Sequence, residues 1–254
     1  MKVFYLHYVI KLFIATLLVT LCNVSWAGPP FVTDDPDIVE YKHWEVNYAV
    51  NKTWGENEYS VGIPSLDINY GFSQDIQLHI QPKYSYQRVG LEKHHGLDST
   101  EIGVKYRFIN QESETSSFMV SFYPLIQLPT GDEKLGEERS KLQSFLPLWL
   151  QYDINDWTLY GGVGYRINQY ADSKNSWFCG AAALYHLTKT LHIGTEAFYE
   201  TSTASGEKQE SGFNVGGIYD FSDDYHLLFS AGRGLNDAKT SNQLSTYLAL
   251  QVLY

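Results

Sequence analysis

Most ionisable side chains in the alternating segments of this sequence keep to one register. Within these segments, Glu45, Asp67, His79, Lys83, Glu101, Lys105, Arg107, Arg166, His186, His192, Glu196, Glu200 and His226 take the parity opposite to the apolar one. On extended backbone they therefore project from one face. Carboxylates and bases gathered in this way can line a selective passage, or neutralise one another as a structural network that fills a narrow interior. Glu101, Lys105, Arg107, Arg166 and Glu196 are the candidates for lining a lumen. Losing any one of them would leave its partner's charge where water is scarce. Tyr123, Phe145, Trp149, Tyr160, Phe178 and Phe198 take the same face toward one end, next to the small residues Gly162, Gly164, Gly180, Ala182, Gly194, Gly216 and Gly232. Space beside the rings would give the concave, mostly apolar surface that a small-molecule site needs. Equally, the rings could be filling, with the glycines easing strand curvature.

Other chemistries fit less well. A hydrolase or acyl transferase working on lipid needs Ser, His and a third polar residue at a membrane face. The sequence has no Gly-x-Ser-x-Gly elbow, and His79, His186, His192 and His226 point inward near the opposite end. His94 and His95 are adjacent, so on extended chain they point oppositely and lack a third ligand at sensible spacing. Cys179 is the one cysteine beyond residue 27, which excludes an intrachain disulfide. No catalytic residue, metal or cofactor is expected.

The elements that hold these residues recur. Tyr70, Tyr106, Tyr152, Tyr185, Tyr219 and Tyr254 are spaced 36, 46, 33, 34 and 35 residues apart. After each of the first five comes a polar turn and a second apolar alternation, as in a hairpin. The long step contains an insertion, Pro129 to Lys141. Longer polar connections separate the hairpins near 52–59, 88–98, 129–141, 168–176, 201–211 and 234–243, so short turns and long loops take turns. Twelve strands result, roughly 44–51, 60–71, 75–87, 99–109, 116–128, 142–153, 157–167, 177–187, 190–200, 212–221, 225–233 and 244–254. Each has one face free of charge through its middle, for example Leu146, Leu148, Leu150 and Tyr152, or Leu248, Leu250, Val252 and Tyr254. Lipid demands such a face, and aromatics gather at the short-turn rim as an interfacial girdle would. The expected fold class is all-β: a transmembrane antiparallel up-and-down β-barrel of 12 strands, with short periplasmic turns and long external loops.

Composition agrees. The chain has 254 residues, 15% of them aromatic, and a net charge of −11, which argues against nucleic acid as a partner. Lys2 and Lys11 lead into the apolar run Leu12 to Leu21, closed by Ser25-Trp26-Ala27, the pattern of a signal peptide cut after residue 27. Its loss leaves 16 basic against 29 acidic residues, a net −13. No later stretch approaches the ~20 apolar residues of a membrane helix. The expected organisation is thus 1–27 signal peptide, 28–41 an acidic Pro-containing segment that either hangs in the periplasm or plugs the lumen, and 42–254 barrel. Expected partners are outer-membrane lipid, the barrel-assembly machinery through the C-terminal strand ending at Tyr254, and a small-molecule solute. The expected location is the outer membrane of a Gram-negative bacterium.

Gly28-Pro29-Pro30-Phe31-Val32-Thr33-Asp34-Asp35-Pro36, Leu128-Pro129-Thr130-Gly131-Asp132 with Leu135-Gly136, Trp157-Thr158-Leu159-Tyr160-Gly161-Gly162-Val163-Gly164-Tyr165 and Gly232-Arg233-Gly234 resemble the outer-membrane family named for the MetA pathway of phenol degradation. The resemblance covers most of the chain beyond residue 27. It implies a channel or transporter for passive uptake of small, partly hydrophobic solutes, aromatic ones included, without establishing phenol as the ligand. The alternatives are a non-transporting structural or surface-interaction barrel with a closed lumen and, further off, a lipid-modifying enzyme.

Overall fold

The computed structural model describes residues 30–236 and 242–254; the expected signal peptide lies outside them. Its strands are β1 (Trp44–Trp54), β2 (Glu58–Gly71), β3 (Ile76–Gln81), β4 (Lys83–Val89), β5 (Glu92–Leu97), β6 (Thr100–Glu112), β7 (Ser116–Phe122), β8 (Leu125–Leu128), β9 (Gln143–Ile154), β10 (Trp157–Ile167), β11 (Ser176–His186), β12 (Leu191–Glu200), β13 (Glu210–Asp220), β14 (Tyr225–Gly234) and β15 (Leu244–Leu253). Every strand pair is antiparallel and each barrel strand pairs with its chain neighbours. The ring closes where β1 meets β15, in register from Glu45↔Leu253 to Trp54↔Leu244. Closure leaves no edge to aggregate or fray.

These segments make twelve barrel strands among the described residues, since β3 with β4 and β7 with β8 are each one strand interrupted, and β5 is a loop hairpin arm. The sequence reading has both interrupted strands as continuous. Pro82 and Pro124 stand at the two breaks and have no N–H for the ladder, although their carbonyls still accept from Leu66 and Val104 at 3.1 and 3.2 Å. The loop expected at 88–98 is partly strand: β4 and β5 pair from Tyr84↔Leu97 to Val89↔Glu92, prolonging the wall outward. The insertion folds into two short 3₁₀ turns, Glu133–Leu135 and Glu137–Ser140, that bury Leu135.

Alternation sets the two faces. Leu146, Leu148, Leu150 and Tyr152 are exposed, while Trp149 and Gln151 between them are buried. The apolar outer face is thus open on a chain whose interior is filled, which suits lipid and not water. Aromatic pairs ring the short-turn rim, with Trp44–Tyr70 at 4.5 Å and Trp157–Tyr185 at 4.9 Å between centroids. A pair at the far rim, Tyr165–Trp177 at 4.8 Å, belongs to a second girdle.

Candidate functional site

The barrel interior has three levels. At the lowest, the chain before β1 turns up into the lumen and crosses it. Lys42 N–H donates to Gly71 at 2.7 Å and Val39 N–H to Gln77 Oε1 at 2.8 Å, which ties the segment to the β2–β3 wall. Arg107 Nη1 reaches Asp37 at 2.7 Å, and Lys105 Nζ reaches Asp34 at 3.2 Å and the Asp35 carbonyl at 3.0 Å. On the opposite wall, Val32 and Thr33 N–H groups each donate at 2.8 Å to the Glu196 carboxylate, while Ser230 Oγ donates to the Pro30 carbonyl at 2.6 Å. Thr33, Asp35, Asp37, Ile38 and Val39 are buried. Acidic residues on the segment meet basic ones on the wall, and its free amides meet a wall carboxylate; each charge thereby keeps a partner out of water. A side chain at Gly180 would collide with Thr33 Oγ1 and one at Gly71 with the Glu40 carbonyl, so at these two places close approach requires glycine.

Beside the segment lies a second polar set. His79 Nδ1 stands 3.1 Å from Asp67 and its Nε2 3.5 Å from Glu101, and Asn69 Nδ2 donates to Asp67 at 2.9 Å. Above is an aromatic layer in which Trp149, 1% exposed, packs with Tyr123, Leu125 and Phe178, flanked by Phe145 and Phe198. Phe178 is 5.9 Å from Phe145, 6.1 Å from Trp149 and 6.4 Å from Phe198. The inward glycines do not leave open space beside these rings: Trp149 covers Gly162, Phe145 covers Gly164, and Thr33 covers Gly180.

The top level is an open cavity of about 270 Å³ at the long-loop end, with Lys83, Glu101, Arg139, Arg166, Glu200 and several amide and hydroxyl side chains on its walls. Its lining is polar, unlike the apolar vestibule expected from the sequence, because the rings close on one another beneath it. Arg166 joins the layers: its guanidinium lies 4.4 Å from the Phe145 ring centre while Nε donates to Glu200 at 3.0 Å. Asp98, 1% exposed, anchors the mouth between Lys83 at 3.1 Å, Arg139 at 2.5 Å and Ser85 Oγ at 2.6 Å. Against the desolvation that burial imposes, Lys83 and Arg139 hold its carboxyl down to about 2.

The expected site residues thus separate by level. Lys105, Arg107 and Glu196 bind the N-terminal segment; Tyr160 packs nearby with Ala182, Leu184 and Phe31; Tyr123, Phe145, Trp149, Phe178 and Phe198 form the ring layer; Glu101 and Arg166 line the mouth. Asp98, Lys83 and Arg139 complete the mouth. Lys83 was legible as inward by parity, but Asp98 and Arg139 sit in connections, where parity gives no signal.

The family model described as "Putative MetA-pathway of phenol degradation" matches residues 65–252. The chain belongs to this family. As a member of the phenol-degradation MetA family it has the barrel seen in solved outer-membrane porins. It is similar to the NanC porin at 10% identity over 83% of this chain and 97% of that one, TM-score 0.50. The KdgM porin in complex with disordered oligogalacturonate is 12% identical over 83% of this chain and 98% of that one, TM-score 0.49. OprD from Pseudomonas aeruginosa is 6% identical, covering 90% and 97%, TM-score 0.45. At this identity the NanC likeness shows the fold alone. Comparison with curated proteins gives no match. The MetA-family chain thus shares the fold of a porin-like β-barrel.

Proposed function

We propose that the protein is a passive channel in the outer membrane of a Gram-negative bacterium, admitting small, partly hydrophobic solutes, aromatic ones included, with residues 30–43 as the plug of its lumen. The observation that carries the reading is the stacked interior. An open polar mouth adjoins an aromatic layer through Arg166, and below it the lumen is crossed by a segment held through hydrogen bonds and ion pairs more than by apolar packing. A solute with a polar end and an apolar body could trade its polar end for the mouth's amides and charges and its body for the rings. The reading contains no catalytic step. Assembly would run through the C-terminal strand, whose Tyr254 exchanges backbone hydrogen bonds with Trp44 at 2.8 and 3.0 Å.

A second reading, a closed structural barrel, is favoured by the near-complete burial of Trp149 and Lys105. Bilayer conductance separates the two. Deleting residues 30–39 should raise conductance in a barrel that still migrates as a folded species on an unheated gel, and Trp149→Ala with Phe198→Ala should alter uptake of an aromatic solute at an unchanged amount of folded protein. A deletion that folds and conducts no better than the wild type would leave the closed barrel standing.

A further inference from the structure

The outward face at the long-loop rim carries cations where the rest of that face carries none. On β1, Lys52 and Trp54 continue the lipid-facing parity of Trp44, Val46, Tyr48 and Val50. The pairing Trp54↔Tyr59, Tyr59↔Arg88 and Arg88↔Lys93 sets four adjacent strands at one height with these side chains on one face. Lys52 Nζ lies 4.2 Å from the Trp54 ring centre and 5.3 Å from that of Tyr59, and the Arg88 guanidinium lies 4.9 Å from Tyr59. Cations and rings are therefore interleaved into one patch.

The patch runs against the chain's own charge. The protein has a net charge of −11. Yet among the described residues Lys52, Arg88 and Lys93 form no ion pair, and no carboxylate shares the outward parity on β1, β2, β4 or β5. The one acidic neighbour on the hairpin, Glu92, lies on the other face with His94 at 3.4 Å. Height fixes what the patch meets. Trp44 belongs to the short-turn girdle, and ten residues at ~3.3 Å with a tilt of ~40° climb about 25 Å, the height of the apolar band. Trp54 and Tyr59 thus stand at the far interface, with the cations beside them at headgroup level.

We propose that this face is a docking surface for phosphorylated glycolipid of the outer leaflet, with Lys52, Arg88 and Lys93 holding the headgroup phosphates and Trp54 and Tyr59 seated at the boundary between headgroup and acyl chains. Charge complementarity selects the occupant. A neutral lipid would leave three cations without counter-ions, and among the described residues a second copy of this acidic chain offers no carboxylate on the outward parity of its strands. The proposal rests on the outer-membrane orientation above and is independent of any solute.

Native mass spectrometry of the detergent-solubilised full chain tests it, with diphosphoryl lipid A and the same lipid stripped of its phosphates as probes. The wild type should retain the diphosphoryl form at least about tenfold more strongly. The Lys52→Gln/Arg88→Gln/Lys93→Gln variant should lose that preference, whereas Lys134→Gln/Lys174→Gln/Lys189→Gln should keep it. Equal retention of the two lipids by the wild type would overturn the proposal even if the patch variant failed to fold. So would equal loss in both variants, displacement of the lipid by millimolar inorganic phosphate, or a protein dimer that only the patch variant dissolves. Conductance measured on the same samples keeps the channel reading separate, since lipid docking can fail while the channel still conducts.

Discussion

Replacing Lys105 by Met should release the N-terminal segment without unfolding the barrel. Lys105 is 1% exposed, and its ammonium group lies 3.2 Å from Asp34, 3.8 Å from Asp35 and 3.0 Å from the Asp35 carbonyl, with the Tyr123 ring centre 4.8 Å away. Methionine preserves much of the stem volume, so cavity formation is minor. Its effect is to leave the buried Asp35 carboxylate without a counter-charge, a loss of about 3–5 kcal/mol where relief is impossible. Here relief is available, because the acidic group sits on a tethered segment that can withdraw into water. Ordering that segment costs about 1–2 kcal/mol per residue in backbone entropy, the same order as its hydrogen bonds return, so docking is marginal. A penalty of ~3–5 kcal/mol shifts the docked-to-free ratio by roughly two to three and a half orders of magnitude. The strand ladder, which Lys105 joins through its backbone, is untouched. Three measurements report on this: bilayer conductance should rise, protease should cut between residues 30 and 43, and the unheated protein should still migrate as a folded barrel. Unchanged conductance with the segment still protected, or loss of the folded band without any conducting species, would refute the reasoning.

Other perturbations address the mouth, the facing and the closure. Asp98, held at about 2 against an ordinary 3.8, contributes about 2 kcal/mol that is complete above pH ~4 and lost as pH falls toward 2. Protease sensitivity of residues 129–142 should therefore rise over that window in the wild type, and Asp98→Asn should be sensitive throughout with no such pH dependence. Leu148→Arg, on the exposed outer face, should cost ~2–4 kcal/mol of barrel stability in lipid, whereas Gln151→Arg, buried within reach of Asp153, should be tolerated far better; equal effects would mean the facing is wrong. Deleting 248–254 removes most of the pairing of β15 with both β1 and β14 and should abolish the folded band, so normal assembly of that truncation would count against closure.

The fold was legible because lipid enforces a rule that needs no tertiary knowledge. An outward position within the apolar band admits no charge, so Leu146, Leu148, Leu150 and Tyr152 declare the face of β9 by themselves, and a one-residue slip would put Trp149 and Gln151 in lipid. The strand ends followed from the short polar turns. What periodicity passed over was chemistry at single atoms. Pro82 and Pro124 interrupt their strands through a missing N–H, and the alternation on either side resumes without a trace in the pattern. The β5 arm and the end of β4 escaped because their polar residues read as loop, although His95 packs on Tyr86 at 5.7 Å and Tyr86 on Tyr84 at 5.3 Å, as closely as a core would.

The interior was legible in content and not in arrangement. Parity placed Lys105, Arg107 and Glu196 inward, where they could as well have faced one another across water as faced a peptide. Their partners, Asp34, Asp37 and the amides of Val32 and Thr33, come from a segment with no periodicity of its own. A clue lay in the charge balance: two wall cations close together on β6, with no wall carboxylate within two residues of them, need acids from elsewhere, and Asp34, Asp35 and Asp37 form the nearest acidic run in a segment short enough to reach them. The inward glycines carried the same message in steric form. Gly180 keeps the wall clear where Thr33 passes and Gly162 where Trp149 lies, so small residues on an inward face mark where something else packs as readily as where a solute fits. On the proposed channel reading, passage requires moving chain and rings aside, and the polar contacts that hold the segment are of the kind water can replace once it starts to leave.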